Sequence, residues 1–104
     1  MSNRICHIVM WDVAGEGMDE KLVSISRVIR EFEGLRGQVP GMTKLEVGAD
    51  VSGISYACDV VLVTEFESMD ALQAYGQHPA HLAVRDRLEG VRIARHQVDY
   101  IIPV

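Results

Sequence analysis

The sequence has no apolar run long enough to cross a bilayer, no block of basic residues, no paired-cysteine motif and no repeat at a solenoid period. The N-terminal apolar run extends only from Ile5 to Trp11 and stops at Asp12, which is too short for a membrane span, poor as a signal peptide and well suited to a strand. A soluble, cytoplasmic protein without a membrane partner is therefore expected. The net charge of -5 comes from acids and bases scattered along the chain, so nothing tracks a phosphate backbone and nucleic acid is not expected as a partner. Cys6 and Cys58 have neither CxxC nor CxxxC spacing, which argues against a zinc knot or redox pair and favours two small buried side chains. A reactive thiol would need a neighbouring positive charge or helix terminus, and the local sequence supplies none clearly.

What is present suffices for one folded unit. Apolar residues make up 48% of the chain, too many for a disordered polymer. A chain of this length is expected to form a single domain, 1–104, burying roughly two thirds of its unfolded surface. Ile5 to Trp11 is apolar on both alternating faces except at His7, so this strand must be covered on both sides. Met18, Leu22, Ile25, Ile29 and Phe32 recur at helical spacing, and Val39-Pro40-Gly41-Met42 ends that helix. Lys44 to Val47 reads as a second strand and Asp59 to Phe66 as a third, its Val60-Val61-Leu62-Val63 run again apolar on both faces. Ser68 caps a second helix carrying Leu72 and Tyr75; a third, opening at His78-Pro79, carries Leu82 and Leu88. Val91 to Ile102 forms the last strand, with Ala94, Val98, Tyr100 and Ile102 available to a core.

This order is that of an α+β, ferredoxin-like βαββαβ protomer, a four-stranded antiparallel sheet with helices on one face. The other face then carries apolar residues from the Ile8/Met10 and Val61/Val63 neighbourhoods, which a monomer would leave in water. A two-fold homodimer through that open sheet face, closing a dimeric α/β barrel, is the simplest way to cover them.

Chemistry concentrates in Tyr75-Gly76-Gln77-His78-Pro79-Ala80-His81. Proline is favoured at the first position of a helix, so His78 and Pro79 read as the structural cap of the third helix, with His81 one turn inside it and Tyr75 closing the helix before. Three groups able to give or take protons near neutral pH thus surround one corner. His7 is the polar exception on the first strand; if odd-numbered residues face the helices, Ile5, His7, Val9 and Trp11 line a cavity below Tyr75 and His81. A metal is the competing use of the imidazoles, but no carboxylate stands at a clear ligand spacing, and neither metal nor cofactor is expected.

His7, Val39-Pro40-Gly41, Glu46-Val47-Gly48, Asp59 to Phe66, Tyr75-x-x-His78-Pro79-x-His81 and Val98-Asp99-Tyr100 together resemble the stress-responsive dimeric alpha/beta barrel (Dabb) family over nearly the whole chain. The resemblance implies a dimeric barrel with a cavity between sheet and helices. More distantly, the chain is similar to plant polyketide cyclases that make olivetolic acid by an intramolecular aldol closure. That similarity implies Tyr75 and His81 as catalytic residues and matches His7 to a histidine on the cyclase's first strand. Where the cyclase's first helix presents a tyrosine, this chain has Phe32, and Trp11 adds bulk to the pocket.

An aldol closure needs a base for a proton alpha to a carbonyl and a donor for the developing oxyanion, roles that suit His81 and Tyr75. His7, Val9, Trp11 and Phe32 are the candidate substrate-binding residues, for a small apolar or aromatic carbonyl compound. The first functional expectation is a cofactor-free cyclase or lyase acting on a beta-dicarbonyl compound. The alternative is a non-catalytic ligand-binding or stress-associated protein in which the same residues hold the corner together. A haem- or quinol-type monooxygenase relative is a further alternative, although its motifs are not evident.

Overall fold

The structure, a computed structural model, describes residues 3–104. Seven elements follow in the order β1 (Ile5–Val13), α1 (Met18–Glu33), β2 (Met42–Ala49), β3 (Val60–Phe66), α2 (Met69–Gln77), α3 (Pro79–Arg87) and β4 (Arg92–Ile101). The strands form one antiparallel sheet in the order β2-β3-β1-β4, which is the ferredoxin-like arrangement.

Period-two alternation sorts the sheet into two faces. Ile5, His7, Val9, Trp11 and Val13 of β1 and Val60, Leu62, Thr64 and Phe66 of β3 are all buried, and they face the helices. The odd-numbered residues of β1 are therefore the helix-facing set. Opposite them, the register aligns Glu46, Val63, Ile8 and Val98 in one row and Gly48, Val61, Met10 and His96 in the next. This face has no layer above it, and Met10 and Val98 are 38% and 52% exposed. Ala94, Val98, Tyr100 and Ile102 do not enter the core: Val98 and Tyr100 pair with Ile8 and Cys6 and share their open face. Their apolar character makes them available to a core but does not say which side of the sheet is covered.

The helix layer is anchored at a few points. In α1 the buried residues are Val28 and Phe32, with Ile25 partly buried and Leu35 buried just past the helix end, whereas Met18 and Leu22, expected on the same stripe, are 68% and 50% exposed. The helix packs through its C-terminal half. Its start is tied down by Asp59, whose carboxylate accepts from the Val13 N–H at 3.0 Å and from Lys21 Nζ at 3.3 Å. Gly41 is needed where the chain turns into β2: its φ is +81°, and a Cβ there would lie 2.7 Å from the Ala71 Cβ on α2. Ser68 caps α2 by accepting from the Ala71 N–H at 3.1 Å. Cys6 and Cys58 are free thiols; burial, then Asp12 and Asp59, raise the Cys58 pKa, so it stays protonated. No helix is long and apolar enough to cross a membrane among the described residues.

Candidate functional site

The α2–α3 corner is built by His78, which ends one helix and begins the next. Its backbone is extended, with φ -66° and ψ 134°, as the residue before proline prefers. Its Nδ1 accepts from the Ala80 N–H at 3.1 Å, and Pro79 occupies the first helical turn. The imidazole of His78 is thereby engaged with the backbone. Tyr75 and His81, on either side, turn toward each other with ring centroids 4.4 Å apart.

His7 comes up to this pair from the sheet. Its ring centroid is 6.1 Å from that of Tyr75 and 6.4 Å from that of Phe66, edge to face in both cases. The strand is held in place by Thr64, fully buried, whose hydroxyl donates to the His7 carbonyl at 3.1 Å. His7 is 6% exposed, and such burial costs free energy unless the ring finds a partner. The partner is Asp99 on β4, its Oδ1 2.5 Å from His7 Nδ1. Gln97 Nε2 donates to the other Asp99 oxygen at 3.0 Å, and Arg95 donates to Gln97 Oε1. A polar chain thus runs along the helix side of β4 to the buried imidazole.

The electrostatics separate the two corner residues. Burial raises the Tyr75 pKa to about 12, against an opposing pull from Arg92 and Arg95, so the phenol keeps its proton and is a donor. Burial lowers the His81 pKa; the Gly76 carbonyl acts the other way, and Arg85, Arg92 and Arg95 lower it further. His81 is therefore neutral near pH 7. Its Nδ1 is buried without a hydrogen-bond partner among the described residues, although leaving such an atom unpaired typically costs about 1–3 kcal/mol. A neutral imidazole with a free nitrogen beside a protonated phenol is a base beside a donor.

Of the other sequence candidates, Trp11 and Phe32 form a second cluster further along β1, stacked at 5.2 Å with an interplanar angle of 16°. Val9 and Phe32 are each 1% exposed and present almost no surface to a ligand in this conformation. Two depressions flank the site without being lined by Tyr75, His81 or His7: one of about 470 Å³ opens on Asp99 beside Ser68 and Met69, and one of about 270 Å³ opens on Trp11, Arg92 and Arg95. The sequence reading missed Asp99, Gln97, Arg92 and Arg95 as neighbours of the site. No cluster of three or more His, Cys, Asp or Glu side chains able to hold a metal ion occurs among the described residues.

A family model described as the stress responsive A/B barrel domain (Dabb) matches residues 5–102. The chain belongs to this family. The fold of this Dabb chain is also similar to solved structures. A dimeric protein of unknown function with a ferredoxin-like fold from Bacteroides fragilis is 27% identical, with a TM-score of 0.84 over 95% of this chain and 96% of that one. A hydroxynitrile lyase from Passiflora edulis is 16% identical, with a TM-score of 0.80 over 99% of this chain and 96% of that one. A cofactor-independent oxygenase from Streptomyces nogalater is 11% identical, with a TM-score of 0.74 over the same shares, 99% and 96%. The last two likenesses are of fold alone; two different chemistries on one frame mean that the reaction has to be argued from side chains. No curated protein matches the sequence.

Proposed function

We propose that this Dabb protein is a homodimeric small-molecule barrel in which His81 acts as a general base and Tyr75 as the oxyanion donor of a cofactor-free lyase or cyclase. The observation that carries this reading is the unpartnered, buried Nδ1 of His81 beside a phenol that stays protonated. In the reaction, His81 takes a proton alpha to one carbonyl of a beta-dicarbonyl compound. The resulting carbanion attacks a second carbonyl within the same molecule, and Tyr75 donates a hydrogen bond to the oxygen on which negative charge develops. His7, whose Nδ1–H is held by Asp99, keeps Nε2 as an acceptor for a hydroxyl of the substrate, such as an enol. The open sheet face, with Ile8, Val61, Val63 and Val98 side by side, supports a dimer that packs sheet on sheet, and the Bacteroides fragilis relative is itself dimeric.

The test is turnover of a linear beta,delta,zeta-triketo thioester, whose alpha carbon can close a six-membered ring on the zeta carbonyl and then lose water, to an aromatic product followed by absorbance. Tyr75→Phe and His81→Ala, both folded by circular dichroism, are expected to lose about 10²-fold or more of kcat/KM. Unchanged turnover in both would sink the mechanism. One observation favours a second reading: Tyr75 is only 3% exposed, which suits a corner held together by packing. On that reading the protein binds a ligand without transforming it, and the same assay shows no turnover with any variant.

A further inference from the structure

Three arginines, Arg85, Arg92 and Arg95, act electrostatically on His81. Arg92 lies with its guanidinium 4.8 Å from the centroid of the Trp11 ring and 5.6 Å from that of Phe32. It lines one depression with Arg95, Trp11 and Ile93, and a second, of about 400 Å³, with Arg85 and the carboxylates Asp86 and Glu89. Neither acid pairs with it: among the described residues Arg85, Arg92 and Arg95 form no ion pair, and the Arg92 side chain donates no hydrogen bond. Elsewhere Arg4 pairs with Glu65, Arg36 with Glu33 and Arg87 with Glu31. Arg85 and Arg95 are exposed and solvated, but Arg92 is half-buried beside Arg95, and a cation in that setting is stabilised by an anionic partner.

We propose that Arg92 and Arg95 form a carboxylate subsite in the depression beside Trp11, so that the ligand is an organic acid with an apolar or aromatic body. The guanidinium of Arg92 is held over Trp11 and Phe32, which limits its freedom and helps preorganise its fork of donors for a planar, bidentate anion. Trp11, Ile93 and Ala94 provide the apolar wall for the body of the ligand. Burial, and then the charge of Arg95, work against the Arg92 cation, and a bound anion relieves both. The subsite rests on the pocket reading above and adds the substrate class: a carbonyl compound bearing a carboxylate, whose anionic end sits on the arginines while its reacting carbon lies at His81.

The test uses Trp11, the sole tryptophan, as reporter. Fluorescence of the full-length protein is titrated at fixed ionic strength with benzoate, with the neutral isostere benzamide and with phenyl phosphate. Benzoate is expected to give a saturable change and benzamide none. Arg92→Gln and, because the half-buried Arg92 also packs on the core, the exposed Arg95→Gln are expected to weaken benzoate by about tenfold or more. Equal binding of benzamide, no loss in Arg95→Gln, or no binding of benzoate overturns the subsite; preferential binding of phenyl phosphate overturns its assignment to carboxylates. Binding is read without turnover, so benzoate bound normally by an inactive His81→Ala leaves the subsite standing, and loss of the subsite does not decide whether His81 is a base.

Discussion

Nδ1 of His7 lies 2.5 Å from Oδ1 of Asp99, joining the middle of β1 to the edge strand β4 across 92 positions of sequence. The contact explains how a polar ring is accommodated on an otherwise apolar strand face. It also leaves Nε2 as the free nitrogen of His7, on the side of the ring away from Asp99.

Removing Asp99 strands that ring. The His7 side chain is 7% exposed and that of Asp99 26%, so the imidazole is shielded from solvent and the carboxylate only partly so. Asp99→Ala is expected to destabilise the protein by about 1–3 kcal/mol in urea unfolding, the cost of a buried polar group without its partner. A change within about 0.5 kcal/mol, the range of ordinary surface substitutions, would show that His7 is satisfied without it.

Histidine 81 gives a pH signature. Its folded pKa lies below the ordinary value of 6.5 because burial disfavours the charged ring. Below that value the unfolded chain takes up a proton that the folded chain refuses, so this contribution to stability is complete above pH 6.5 and is lost as pH falls toward the folded pKa. The groups bearing on the ring are Tyr75, Arg85, Arg92, Arg95 and the Gly76 carbonyl. Wild type is expected to lose more stability between about pH 7 and pH 5 than His81→Gln does. Parallel curves for the two proteins would contradict the assignment.

The cap can be separated from the chemistry. His78 uses its Nδ1 to cap α3, so His78→Ala is expected to cost about 0.5–2 kcal/mol while His78→Asp recovers most of it. Thermal unfolding of the two variants measures this. Turnover should follow stability in both, whereas a loss of activity in a stable His78→Asp would give His78 a role beyond the cap.

The dimer is tested at Val98. With 52% of its surface exposed in the protomer, Val98 does little for the protomer's own fold and sits in the apolar row with Ile8 and Val63. Light scattering at micromolar concentration is expected to give a dimer for wild type and a monomer for Val98→Lys. A monomeric wild type would leave the open face without the proposed cover.

Much of this arrangement was legible in the sequence because it rests on local rules. The apolar runs around Val9 and Val61, the proline after His78 and the two-residue period that sets His7 among buried residues each follow from near neighbours. What was missed depends on coverage and register. Met18 and Leu22 follow the helical period but lie where α1 no longer packs closely on the sheet, and Val98 and Tyr100 lie on a face that no helix covers. Asp99 was within reach: once β4 pairs with β1, the alternation that aligns Ile8 with Val98 aligns His7 with Asp99. Arg92 was not, because the register shifts between Asp12 and Val13 and brings Arg92 opposite Val13 where simple pairing gives Ile93.

The central claim is that His81 faces a ligand rather than only holding the corner. A thermal-shift comparison of beta-dicarbonyl and resorcylate-like compounds on wild type and His81→Ala tests it most directly, since a ligand that binds only the folded state raises its apparent stability. The expected result is a compound that stabilises wild type and fails to stabilise a folded His81→Ala. Equal stabilisation of both proteins, or no stabilisation of wild type by any compound together with a large loss of stability in the variant, would contradict it and make His81 a structural residue.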